Sequence, residues 1–187
     1  SVDIGVSTPG NNDLEASGWW MDAALNYKIE DFGTAGLFGW YSTGDGKDDG
    51  NELGRMPVVG VDGAVSFTSF GFAGSSNAFG TDNIVSNTAT GTWGIGVKMA
   101  DMSFVENLSH TLRFAYYEGT NNKNSSLASS VHAGAFKSDP TYLTTRDSAF
   151  EVNFDHKYQI YENLSAHLDL GYVALDMGKR DSVDNAP

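Results

Sequence analysis

The sequence predicts an all-β, antiparallel fold, on three observations. Between Ser148 and Ile160, the apolar Phe150, Val152, Phe154, Tyr158 and Ile160 alternate with Glu151, Asn153, Asp155, Lys157 and Gln159. A period of two is what a strand with one apolar and one polar face requires; a helix would scatter those charges around its circumference. The same alternation recurs along the chain between turn residues, with 22 Gly, 11 Phe, 8 Tyr and 4 Trp beside only 4 Pro, a usage that suits strands and bends. The strands are also long. About a dozen residues exceeds the roughly 5–6 of a typical soluble strand and reaches the ~9–11 that a tilted strand needs to cross a bilayer. Together these predict an antiparallel transmembrane β-barrel, with residues 1–187 forming part of a single barrel domain.

Seven spanning strands are expected, at 2–8, 17–29, 33–43, 91–100, 109–118, 147–160 and 164–176. In the first, Val2, Ile4 and Val6 alternate with Asp3, Gly5 and Ser7; in the second, Trp19, Met21, Ala23, Leu25, Tyr27 and Ile29 alternate with Trp20, Asp22, Ala24, Asn26 and Lys28. The third carries Leu37 and Tyr41 on one face but Phe38 and Trp40 on the other, so its facing is open. Trp93, Ile95, Val97 and Met99 mark the fourth, Leu112, Phe114 and Tyr116 the fifth, and Leu164, Ala166, Leu168, Leu170 and Tyr172 the seventh. An odd number of antiparallel strands cannot close a bacterial barrel in the usual way. Further strands are therefore expected before Ser1 and after Pro187.

Connections alternate in length. Short links fall at 30–32, 101–108 and 161–163; long polar ones fall at 8–16, 44–90, 119–146 and from Met177 onward. Short periplasmic turns opposite long extracellular loops is the outer-membrane pattern. Within 44–90, Val59, Val61, Val65 and Phe67 alternate with polar residues. Counting that stretch as a spanning strand would invert every later loop, so 44–90 is expected to be an extracellular loop folded back on the barrel. Glu106-Asn107-Leu108-Ser109 and Glu162-Asn163-Leu164-Ser165 are the same four residues, each leading into a strand. Outward rings fall at two levels, Trp19, Tyr41, Trp93, Tyr116 and Tyr172 at the outer end and Tyr27 and Tyr158 at the inner, as interfacial girdles do.

Composition excludes several classes. There is no cysteine for disulfides or thiolate metal sites. Asp and Glu number 24 against 11 Lys and Arg, a net charge of −13, which argues against a nucleic-acid partner. No apolar run approaches the ~18 residues of a transmembrane helix.

No catalytic constellation is present and no cofactor is expected. His110, His132, His156 and His167 are far apart in sequence and lack helical ligand spacing. Gly91 to Gly96 lies inside a strand, not before a helix, so it does not cradle phosphate. The run from Asp45 to Glu52 is rich in hard oxygen ligands, but Lys47 stands at the third position and Met56 where a bidentate acid belongs. It reads as a solvated acidic loop, with weak divalent-cation binding, bridging to lipopolysaccharide phosphates, as the lesser alternative.

On the polar strand faces lie Asp3, Asp22, Lys28, Lys98, Arg113, Glu151, Asp155, Lys157 and Asp169. In a soluble sandwich these would meet bulk water; in a barrel they line the lumen and decide which ions pass. Their signs nearly cancel. The long loop is acidic, with Asp45, Asp48, Asp49, Glu52 and Asp62 as the candidate constriction.

Gly18 to Ile29, Gly91 to Lys98, Leu108 to Tyr117 and Tyr158 to Ser165 resemble the outer-membrane homotrimeric porins of sulfate-reducing bacteria, over nearly the whole chain and most in the strands. The resemblance implies a trimer of water-filled barrels in the bacterial outer membrane, in contact with its lipid and lipopolysaccharide. Such a general diffusion porin passes small hydrophilic solutes and ions without enzymatic activity. Family members are longer and end in an aromatic-terminated strand, whereas this chain ends Asn185-Ala186-Pro187. The alternative from another class is a soluble surface β-sandwich that binds carbohydrate or protein on a platform of Trp20, Phe38 and Trp40; strand length and alternating loop lengths weigh against it. The barrel anchor of an adhesin would need a passenger domain, for which no segment is evident.

Overall fold

The computed structural model describes residues 2–3, 15–46, 52–56, 90–123 and 143–178, with the backbone alone at 2–3, 15–16 and 52–53. The strands are β1 (Val2–Asp3), β2 (Glu15–Ala16), β3 (Trp20–Ile29), β4 (Gly33–Ser42), β5 (Glu52–Leu53), β6 (Thr92–Val105), β7 (Leu108–Gly119), β8 (Ser148–Tyr161) and β9 (Leu164–Asp176). The six long ones form a single sheet in the order β3-β4-β6-β7-β8-β9, every neighbour antiparallel. β6 and β8 run for 14 residues, β9 for 13 and β7 for 12.

Strand β4 pairs directly with β6, Thr34 to Tyr41 against Ala100 to Trp93. Among the described residues no strand lies between these two; the alternating stretch at 59–68, on which the loop expected at 44–90 turns, lies outside the described residues. Two expectations need correction. Of the strand placed at 2–8, only Val2–Asp3 is described, and it pairs with Glu15–Ala16, which pairs in turn with Glu52–Leu53, in a separate three-stranded piece. The long sheet therefore has six strands among the described residues, not seven. The fourth expected strand does not end at Ala100 but continues to Val105. Its register against β7 slips between Met99 and Met102 and again between Met102 and Val105, with Asp101 at a φ of 56°. Bulges of this kind break the two-residue rhythm, so 101–105 reads as a link when it is strand.

Three tight turns then share one end of the sheet: 30–32, 106–107 and 162–163. The two Glu-Asn turns of the repeated unit occupy equivalent places there. At the first turn, Gly33 has a φ of 146°, and a Cβ on it would lie 2.5 Å from the carbonyl oxygen of Ala100. Only glycine fits both the backbone angle and the gap.

The open facing of β4 is resolved by its partner. Trp40 is directly opposite Gly94, and Phe38 opposite Gly96. A Cβ at Gly94 would sit 2.4 Å from the Trp40 ring, and one at Gly96 2.3 Å from the Phe38 ring. The two rings lie over bare backbone, stacked at 6.4 Å and 6°, with Trp40 also against Tyr117 at 6.1 Å. Trp40 Nε1 donates to Thr92 Oγ1 at 2.9 Å. Phe38, Trp40, Ala115, Tyr117, Leu143 and Ala149 make up the buried apolar cluster.

The two faces of the sheet are buried in an unusual sense. The face carrying Leu25, Tyr27, Leu37, Ile95, Val97, Phe114, Phe154, Leu168, Leu170 and Tyr172 is exposed, Leu25 to 72% and Leu168 to 54%. The other holds Glu151 and Asn153, both at 0%. A soluble sheet does the reverse, because each large apolar side chain left in water forgoes about 1.5–3 kcal/mol.

Gly94→Ala tests the ring-over-glycine packing. Alanine normally improves a strand, yet here it should lower stability by about 1–3 kcal/mol through overpacking, read from the urea midpoint of tryptophan fluorescence. Gly171→Ala, on exposed β9, should cost less.

Candidate functional site

Charges spaced two apart on separate strands become neighbours once the register is set. Arg113 stands beside Lys98 on one side and Asn153 on the other. The Arg113 guanidinium makes an ion pair with Asp155, one step along β8, both side chains being partly exposed. Asp155 in turn faces Asp169 across β8 and β9. A row thus crosses the middle of the sheet, basic on β6 and β7 and acidic on β8 and β9. Gly36 continues it on β4: a Cβ there would meet Lys98 and Asn26 side-chain atoms within 2.9 Å.

The remaining charged residues expected on the polar face are dispersed. Asp22 accepts from Trp20 Nε1 at 2.9 Å on exposed β3, where Lys28 is also exposed. Lys157 lines a cavity of about 280 Å³ with Ser103, Asn107, Leu108, Ser109 and Gln159 at the end carrying the short turns. Glu151 shares the polar face but is sealed, accepting from Tyr117 Oη at 3.2 Å and Asn153 Nδ2 at 2.7 Å. Asp3 of the first strand is described by backbone alone; of the acidic loop, Asp48, Asp49 and Asp62 lie outside the described residues, Glu52 is described by backbone alone, and Asp45 is 5% exposed.

Asp45 belongs to a collar at the opposite end from the short turns, which periodicity did not reveal. Asn121 Oδ1 accepts from Asp45 N at 2.9 Å, while its Nδ2 donates to the carbonyls of Leu143 (2.8 Å) and Gly91 (3.2 Å). Asp147 accepts from Thr144 N (2.8 Å) and Thr144 Oγ1 (2.7 Å) through one oxygen and from Gly178 N (3.0 Å) through the other. Ser42 Oγ accepts from Gly91 N at 3.1 Å, and Thr120 Oγ1 donates to Ser42 O at 2.8 Å. The ends of β4, β6, β7, β8 and β9 are thereby tied to one another. Asn and Asp in a polar loop carry no period; the available signal was Thr144-Thr-Arg-Asp147 set just ahead of a strand, a side-chain-to-backbone turn pattern.

Two histidines that are 46 residues apart prove to be adjacent: His110 and His156 are cross-strand partners, with Nδ1 to Nδ1 at 2.6 Å. Sequence separation alone had set them apart. Phe38 and Trp40, candidates for a binding platform, are buried over glycine, which leaves them no open ring face.

Asn121→Ala would strand the amide of Asp45 and the carbonyl of Leu143 in a buried site, so unfolding stability should fall by about 1–3 kcal/mol per unsatisfied group. Protease cleavage in 44–90 and 124–142 should rise with it. A stability unchanged within error would show that water replaces the amide. In comparisons with known proteins, no family model, no curated protein and no solved structure matches this chain.

Proposed function

We propose that this chain forms wall strands of a general diffusion porin of the bacterial outer membrane, a passive channel for small hydrophilic solutes and ions. The observation that carries the reading is the sidedness of the sheet: apolar side chains exposed along one face, with ion-paired and hydrogen-bonded polar groups on the other. Lipid on the first face and water beyond the second satisfy both. Strands of 10 to 14 residues are long enough to span. The exposed rings support the girdles, with Trp19 packed on Tyr41 at 5.0 Å and Trp93 on Tyr116 at 6.0 Å towards the collar. Among the described residues no helix is long and apolar enough to cross a membrane, which says nothing of strands.

In this reading β3 and β9 are edges that further strands must pair, because an open edge in lipid leaves backbone groups unsatisfied. The homotrimer rests on the resemblance of the strand sequences to the porins of sulfate-reducing bacteria. Asp45 anchors the root of the acidic loop, so constriction charge falls to Asp48, Asp49, Glu52 and Asp62. The soluble sandwich would require a second layer over Leu25, Leu37, Val97 and Phe114, and among the described residues none covers them.

The deciding experiment is extraction and bilayer recording. The native protein should need detergent, change gel mobility on boiling, and give steps of conductance in planar bilayers; a detergent-free, heat-insensitive protein without conductance would overturn the porin. Phe154→Arg and Leu170→Arg, at facing positions on the exposed side, should each cost about 2–4 kcal/mol near the midplane. Asp155→Asn should alter conductance and cost about 1 kcal/mol or less, the worth of a partly exposed ion pair. Reversal potentials should show weak cation preference that fades as the screening length falls from about 10 Å at 0.1 M salt to about 3 Å at 1 M. Neutralising Asp48, Asp49 and Glu52 should abolish it; an anion preference in the native pore would place these acids off the conduction path.

A further inference from the structure

We infer that His110 and His156 form a two-imidazole binding site for a divalent transition metal of square-planar preference, Cu2+ or Ni2+. The site does not depend on the porin reading, because the pairing of β7 with β8 alone creates it. The two Nδ1 atoms are 2.6 Å apart, and the rings stand at 87° with centroids 4.9 Å apart. At that distance, without metal, one ring donates its Nδ1 proton to the other.

Chelation needs both Nδ1 lone pairs. The donor ring gives up its Nδ1 proton and takes one at Nε2, so both imidazoles stay neutral while the metal takes the place of the shared proton. Two metal–nitrogen bonds of about 2.05 Å place their nitrogens about 2.9 Å apart at right angles and about 3.35 Å apart in a tetrahedron. The rings must therefore part by about 0.3 Å for a tetragonal ion and more than twice that for tetrahedral Zn2+.

The surroundings choose the chemistry. Phe104 stacks on His110 at 5.8 Å, and Phe154 packs on His156 at 4.2 Å and on His110 at 5.8 Å. The flanking register partners are Met102 opposite His110 and Leu168 opposite His156. Along the same faces Leu108, Leu112 and Tyr158 follow. None of these is a carboxylate, which removes the oxygen donors that Ca2+ and Mg2+ require. Among the described residues no group of three His, Cys, Asp or Glu could surround an ion, so the other positions of the metal belong to water. Both rings are partly exposed beside Leu168 on the apolar face, with His110 three residues beyond Asn107, so water reaches them from the end that carries the short turns, also where lipid covers the rest of that face.

Cu2+ titrated into the purified protein, in detergent or without it as the protein requires, in a His132→Gln/His167→Gln background that removes the other imidazoles, is the test. Electron paramagnetic resonance should report one copper per chain with two equatorial nitrogens. His110→Gln and His156→Gln should each lose it, while Leu168→Gln, which leaves both imidazoles in place, should keep it. Copper bound through fewer than two nitrogens in the parent, or retained unchanged in either histidine variant, would overturn the site. The nitrogen count in the parent decides the matter even if a variant folds poorly.

Discussion

A strand whose alternate residues prefer different media can be stable only where two media are supplied, and every other feature of this sheet follows from that constraint. Leu25, Val97, Phe154 and Leu170 must leave water; Arg113, Asp155 and Asp169 must keep a polar environment. Because the side-chain period is two, a single-residue slip of register would exchange the whole of one set for the other. Register is therefore strongly enforced. The antiparallel pairing of β7 with β8 is unbroken from Leu108 to Glu118, and bulges are confined to the ends near the short turns.

The long strands were legible in the sequence because facing is written locally. The boundaries expected at 33–43, 109–118, 147–160 and 164–176 fall within one or two residues of β4, β7, β8 and β9. Where the text of one strand depends on another, reading along the chain fails. Phe38 and Trp40 look misplaced until Gly94 and Gly96 are set opposite them, since the space that admits the rings is created by missing side chains on a strand more than fifty residues away. The extension of β6 past Ala100 failed for the opposite reason: a bulge at Asp101 changes phase, and a pattern that counts residues cannot count through it.

The candidate site divides in the same way. Alternation placed Lys98, Arg113, Asp155 and Asp169 on one face, and register assembled them into a row with segregated sign. Asn121, Asp147 and the histidine pair were not legible, because each acts through a contact fixed by tertiary pairing. Asn121 has no periodic partner, and its amide works by matching one acceptor and two donor hydrogens to three backbone groups from three different segments. His110 and His156 become a unit only when β7 and β8 align.

The collar has a consequence for how this architecture tolerates change. By closing the strand ends on themselves, Asn121, Asp147, Ser42 and Thr120 isolate the sheet mechanically from whatever chain is strung beyond it. Sequence inserted past Gly46 or past Lys123 hangs from a fixed frame, and its length adds only a slowly growing closure entropy. Such a frame lets the connecting segments change in sequence while the strands keep their pairing. It also marks those two points as places where a foreign peptide could be carried without disturbing the register of the sheet.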